Sequence, residues 1–168
     1  MADYLKSIGH SASIDAVTSY IAALIDAKII YAAPRYDIKG RKIMQRMDKY
    51  YICDLGLRYS ELGYRDQDIA QVLENVVYTE LLTRGYQVYV GKEGDKEVDF
   101  IVEKGDDRQY FQVCYFLATE EVKRREYDSL LSINDSYPKT VLSMDELSMP
   151  VVQGVRHRNI IDFLLDRS

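Results

Sequence analysis

The chain has 168 residues, enough for one medium domain or two small ones. Its composition, 47% apolar and 29% charged, is that of a soluble globular protein, and it holds no run long enough to span a bilayer and no signal peptide. A net charge of −5 argues against a general polyanion binder. The two cysteines, Cys53 and Cys114, form no CxxC pair and have no His beside them, which excludes a zinc or disulfide framework and points to a reducing cytoplasm.

Along the chain, a short helix is expected over Ala2–Ser7, closed by Gly9. Ser13 as N-cap and Asp15 in the first turn open a helix over Ser13–Ala27, with Ile14, Val17, Ile21, Leu24 and Ile25 on one stripe. A strand over Ile29–Ala33, a polar loop holding Pro34, Asp37 and Gly40, and a strand over Lys49–Asp54 follow. Helices followed by a two-stranded ribbon are the order of a winged helix, so residues 1–65 are expected to form one. Residues 66–168 are expected to form a second, α/β domain. There a helix over Asp68–Thr83 buries Ile69, Val72, Leu73, Val76, Val77 and Leu81 and ends at Arg84-Gly85. Strands are expected over Gln87–Val90, Glu97–Glu103 and Tyr110–Phe116, then a helix over Glu120–Ile133 capped by Thr119. Strands over Lys139–Met144 and Val151–Arg156 and a helix over Asn159–Leu165 complete a mixed sheet with helices packed on it. His10 and His157 stand in no metal-ligand spacing and read as surface or turn residues.

Three features of the second half belong together. Glu74 lies on the flank of the buried helix stripe, beside Val77. In Glu97-Val98-Asp99-Phe100-Ile101-Val102, alternation puts Val98, Phe100 and Val102 on one face and Glu97, Asp99 and Ile101 on the other. In the next strand, Gln112 and Cys114 share a face opposite Phe111, Val113 and Tyr115. Adjacent strands and a helix can thus aim Glu74, Asp99 and Gln112 at one point.

This succession, Glu74, Arg84-Gly85-Tyr86, Glu97-Val98-Asp99-Phe100, Gln112-Val113-Cys114, resembles the PD-(D/E)xK nuclease superfamily. The resemblance implies that a helix Glu, a strand Asp and the Glu of an E-x-K strand bind Mg²⁺, while the Lys orients and polarises the attacking water. Glu74 and Asp99 match. Gln112 stands at the second carboxylate, as in some Mrr-like nucleases, and can still offer an oxygen. Cys114 stands at the Lys, and a neutral thiol cannot supply an ammonium; Lys92 and Lys123 are the residues that could replace it from elsewhere. More specifically, Tyr36-Asp37-Ile38-Lys39-Gly40-Arg41, Lys49-Tyr50-Tyr51-Ile52-Cys53-Asp54-Leu55-Gly56-Leu57-Arg58, Leu73-Glu74-Asn75, Glu80-Leu81-Leu82-Thr83-Arg84-Gly85, Glu97-Val98-Asp99-Phe100 and Gln112-Val113-Cys114-Tyr115 resemble the DUF4143 domain. That domain is the C-terminal region of prokaryotic P-loop ATPases of the AAA+ type, which implies an upstream ATPase module. No G-x-x-x-x-G-K-[ST] occurs in this chain, whose abrupt start reads as that of a C-terminal fragment.

The strongest local charge signal is Pro34 to Lys49: Arg35, Lys39, Arg41, Lys42, Arg46 and Lys49 against Asp37 and Asp48, a surplus of four. In a winged helix this stretch is the wing, and Arg35, Lys39, Arg41, Lys42 and Arg46 are its candidate contacts to the phosphates of duplex DNA. The helix before it lacks the Arg, Lys, Asn and Gln that read bases. The leading expectation is a non-catalytic region of an AAA+-type ATPase, with no cofactor, that binds DNA or a protein partner. The alternatives are a Mg-dependent DNA nuclease using Glu74, Asp99 and Gln112, and a protein-interaction scaffold.

Overall fold

The computed structural model describes residues 13–147 and 149–166, with backbone alone at 46 and 47. The expected helix over Ala2–Ser7, together with His10 and the side chain of Arg46, lies outside the described residues.

Ser13 caps helix α1 (Ile14–Asp26) by accepting from the Ala16 N–H. Val17 is the one buried residue of its apolar stripe, and Ile14 stays exposed. Strands β1 (Ile30–Asp37) and β2 (Lys42–Ile52) are longer than expected, so the stretch anticipated as a polar loop is mostly an antiparallel hairpin. Pro34 is tolerated in β1 because it falls where the register shifts, between Ala33 and Arg35, and no ladder bond is lost. Its turn closes when Asp37 accepts from the Gly40 N–H; a side chain at Gly40 would collide with that carboxylate. Helix α2 (Leu55–Leu62) follows, too short for a clear stripe but marked by its ends: Asp54 caps it onto Gly56, and Gly63, at φ +68°, stops it. A 3₁₀ turn (Asp66–Asp68) leads into α3 (Ile69–Thr83), which ends at Arg84 and Gly85, with Gly85 at φ +81°.

The remaining elements are β3 (Gln87–Glu93), β4 (Lys96–Lys104), β5 (Asp107–Val113), α4 (Glu120–Leu131), β6 (Lys139–Ser143), β7 (Val155–Asn159) and α5 (Ile160–Leu165). Two strands are displaced from expectation. β5 starts and ends three residues early, leaving Tyr115 and Phe116 exposed beyond it, and β7 follows a tight turn that pairs Val152 with Val155.

The protein is mixed α/β: one seven-stranded sheet in the order β2-β1-β3-β4-β5-β6-β7. Pairing is parallel for β1–β3, β5–β6 and β6–β7 and antiparallel elsewhere. Because β1 is hydrogen-bonded to β3, the ribbon expected in an N-terminal domain continues the sheet of the second half. Ala33 and Tyr51 share a core with Val77, Tyr78, Leu81 and Phe100, so one core crosses the boundary expected near residue 65. Helices α3 and α5 cover this face through Leu81, Ile160 and Phe163. Helix α4 covers the other through Tyr127 and Leu130, over Val98, Ile101, Tyr110, Cys114 and Val141.

Strand β4 does not alternate as expected. Gly91 stands opposite Val98 and Tyr89 opposite Ile101, so two steps on β3 face three on β4. The extra residue is a β-bulge at Asp99–Phe100. It turns Val98 to the α4 face with Ile101, while Phe100 and Val102 stay on the α3 face. Gly91 makes the bulge possible: a β-carbon there would lie 3.0 Å from Val98 and 3.1 Å from Ile101.

Candidate functional site

Glu74, Asp99 and Gln112 do come together, at the bulge. Asp99 is 8% exposed, and its Oδ2 accepts from the Val113 N–H at 2.8 Å. Its own N–H donates to Gln112 Oε1 at 3.2 Å, so the two residues lock β4 against β5. The Gln112 amide then donates to Glu126 of α4 at 3.1 Å, and Ser129 donates to Gln112 Oε1. Glu74 faces the same cluster from α3, accepting from the Tyr51 hydroxyl at 2.5 Å. Tyr51 is held for this by stacking on Tyr78, with centroids 4.0 Å apart.

The cation of the cluster is Lys49, which opens one of the quoted motifs but was not expected at the acids. Its ammonium lies 2.6 Å from Glu74 Oε1 and 3.1 Å from Glu97 Oε1. It comes from β2, two strands away from β3, where pairing resumes after an irregularity between Met44 and Lys49. Glu97 in turn receives Arg35 at 2.5 Å. Of the lysines expected to substitute for Cys114, Lys123 pairs instead with Glu120 on its own helix at 3.8 Å. Lys92 stands across from Glu97 in register but forms no ion pair among the described residues. Cys114 is buried in the α4-side core, its thiol 3.8 Å from the Leu142 carbonyl, and burial pushes its pKa up to about 12, so it offers no thiolate.

The electrostatics follow from crowding. Burial, then the Glu74 carboxylate, push Asp99 up to about 8, against the opposing pull of the Val113 N–H and Lys49. Burial would lower Lys49, but Glu74, Asp99 and Glu97 outweigh it and hold the ammonium above its usual value. Burial would raise Glu97, but Arg35 and Lys49 hold it below the usual range.

A hard cation such as Mg²⁺ needs several free oxygens converging on one point. Among the described residues no three His, Cys, Asp or Glu side chains are placed to hold a metal ion together. Glu74 Oε1 is taken by Lys49 and Tyr51, and Gln112 Oε1 by Asp99 and Ser129. As arranged here, these residues do not fit the ion, and Lys49 supplies the positive charge.

The expected DNA contacts divide. Arg35 is turned inward onto Glu97. Lys39, Arg41 and Lys42 are exposed around the β1–β2 turn and belong to no ion pair among the described residues.

A second polar cluster sits at the ends of β6 and β7. His157 is not the surface residue expected: it is 8% exposed, because the parallel pairing of β7 with β6 carries it into the α4-side layer. Its Nδ1 accepts from the Met149 N–H at 3.4 Å, which leaves the proton on Nε2, 2.8 Å from Ser143 Oγ. Ser143 Oγ donates to Asp145 Oδ2 at 2.7 Å, and that oxygen also accepts from the Leu117 N–H. The serine proton therefore points at the acid, away from the imidazole, and Ser143 is wholly buried. The arrangement opposes nucleophile activation, in which His must accept the serine proton.

No family model matches this chain, and no solved structure matches it. An uncharacterized protein of Haemophilus influenzae (strain Rd) is 36% identical to it over 149 residues, covering 89% of this chain and 36% of that protein. The chain spans about a third of the length of the curated relative it matches.

Proposed function

We propose that this chain is a non-catalytic binding region of a larger AAA+-type ATPase, and that it contacts the phosphates of duplex DNA through the tip of the β1–β2 hairpin. The layout that goes with this reading is a winged-helix-like part, α1 with β1 and β2, whose hairpin is the wing, joined to a degenerate PD-(D/E)xK-like part. One observation carries it: Lys39, Arg41 and Lys42 are exposed together on one turn without acidic partners among the described residues, in a chain of net charge −5. Cations kept free of internal pairs are available to displace counterions from a phosphate backbone. The non-catalytic half of the proposal is supported by Lys49, which already pairs with Glu74, one of the acids that a metal would need.

A mobility shift with duplex DNA at about 50 mM and 200 mM salt tests the binding. Binding at low salt that weakens steeply at high salt, and is lost when Lys39, Arg41 and Lys42 become Gln, is expected. No shift at low salt would leave a protein-interaction scaffold as the surviving reading. Plasmid incubated with Mg²⁺ or Mn²⁺ should remain intact; cutting that disappears in Asp99→Ala would overturn the non-catalytic assignment.

A further inference from the structure

The segment between β6 and β7 is tied down unevenly. At its start Asp145 is well anchored: its carboxylate accepts from Ser143 and from the Leu117 N–H, its N–H donates to Ser143 Oγ, and its carbonyl accepts from the Asn159 amide. At its end Val152 and Val155 exchange both backbone hydrogen bonds. Between these anchors, residues 146–151 make one hydrogen bond among the described residues, from the Met149 N–H to His157 Nδ1. Leu147 and Val151 are 83% and 62% exposed, and Met149 packs on the α4-side core.

The imidazole of His157 therefore joins two bodies: Nε2–H donates to Ser143 of β6, and Nδ1 holds the strap. A proton affects the two ties differently. The neutral ring offers one donor and one acceptor, whereas the imidazolium offers two donors. Protonation at Nδ1 leaves the Ser143 bond in place, with the Asp145 carboxylate beyond it, but sets N–H against N–H at Met149. Burial disfavours the imidazolium, and Asp145, the charged group that acts on the ring, opposes it without prevailing. Burial would raise Asp145 too, but the Leu117 N–H and Ser143 hold it below the usual carboxylate range, so it stays an anion. Cys114 and Tyr127, in the α4-side core, are pushed up by burial and add no charge. Along β7, Arg156 and Arg158 alternate to the opposite face, where Arg158 pairs with Asp166.

We propose that His157 is a proton-operated latch for the strap 146–151: a proton taken up at Nδ1 releases the strap and uncovers the part of the core under Met149, while β6 and β7 stay paired. The latch is independent of the nucleic-acid reading above. Hydrogen exchange of the unaltered chain, from about pH 7.5 to about pH 5, tests it. It is followed at the Met149 amide and at the Cys114 amide, which is bound to the Leu142 carbonyl. In the open strap His157 titrates at its ordinary 6.5, so opening is favoured as the pH falls below that value. The protection factor of Met149 should then fall, by up to about tenfold per pH unit. At every pH it should be lower than that of Cys114 and insensitive to low urea, because only the strap opens, whereas Cys114 exchange should accelerate with urea. His157→Gln should make Met149 protection independent of pH over this range. If that variant does not fold, the pH and urea dependences of the unaltered chain decide. Met149 protection that is constant with pH overturns the latch. So does protection that matches Cys114 in size and urea dependence, which would mean that the strap opens only with the whole sheet.

Discussion

Two polar clusters are buried in this sheet, and they differ in how their charges balance. Around Asp99, four carboxylates on three elements (Glu74, Glu97, Asp99, Glu126) face Lys49 and Arg35 from the hairpin and Arg125 beside Glu126 on its own helix. Around Ser143, every proton has an acceptor: Met149 gives to His157, His157 to Ser143, Ser143 to Asp145. The first cluster is held in tension between burial and repulsion, which is why Asp99 is pushed up to about 8. The second is satisfied and serves to fasten β6, β7 and the segment between them. Residue types alone would rank them the other way, since a serine, a histidine and an aspartate suggest catalysis. The direction of the protons and access to the site decide.

The comparison breaks most sharply at Lys49. Lys49→Met should destabilise the protein by about 2–3 kcal/mol, below the range for fully buried pairs because 28% of that side chain remains exposed. Adding Glu74→Gln should recover much of the loss, which a denaturant double-mutant cycle would measure; simple additivity would mean that the pair is not coupled. Next in size is Gly91→Ala. The new β-carbon would press on Val98 and Ile101, cost about 1–3 kcal/mol in urea unfolding, and disturb the bulge that presents Asp99. An unchanged midpoint would show that the bulge relaxes freely.

The pH dependence separates the clusters by sign, at no more than about 1.4 kcal/mol per pH unit. Asp99 has a folded pKa above its unfolded value of 3.8, so the folded state holds the extra proton and stability declines as pH rises from about 4 to about 8. Asp99→Asn should flatten that limb, which melting curves across the range would reveal. Burial holds His157 below 6.5 despite the opposing pull of Asp145, so the unfolded state takes up the proton first and stability falls as pH drops below about 6.5. His157→Gln should flatten this opposite limb. If either substitution flattened the other's limb, the assignment of the two clusters would be reversed. The smallest effect on stability, within about 0.5 kcal/mol, is expected from changing Lys39, Arg41 and Lys42 to Gln, which touch neither cluster. If the hairpin contacts phosphates, the same change lowers the logarithmic salt slope of DNA binding by about 2–3.

What could be read from the sequence was what depends on neighbours in the chain. The Ser13 and Thr119 caps and the stop at Arg84-Gly85 follow from local spacing, and the convergence of Glu74, Asp99 and Gln112 from strand alternation in consecutive elements. The misses share one physical cause, pairing between distant segments. Lys49 stood at the head of a quoted motif and in a basic stretch, but its role beside Glu74 could not be read, because its place depends on β1 lying parallel to β3 and carrying β2 beside it. Val98 changed faces because the bulge answers to Gly91 on another strand. His157 was buried by a parallel neighbour. Helix α2 is the exception: Asp54 and Gly63 marked its ends, but eight residues carry too little periodicity to announce a helix.

The parallel pairing of β1 with β3 also sets an order of assembly. The β1–β2 hairpin closes over a few residues and can form early, but its place in the sheet waits until α3 and β3 exist. During synthesis Lys49 therefore emerges before Glu74, Glu97 and Asp99, and spends that interval as a solvated cation on an unattached ribbon. Docking of the hairpin and neutralisation of the acids are then a single late event, so a chain stalled before β4 has the ammonium but not the full set of charges that holds it.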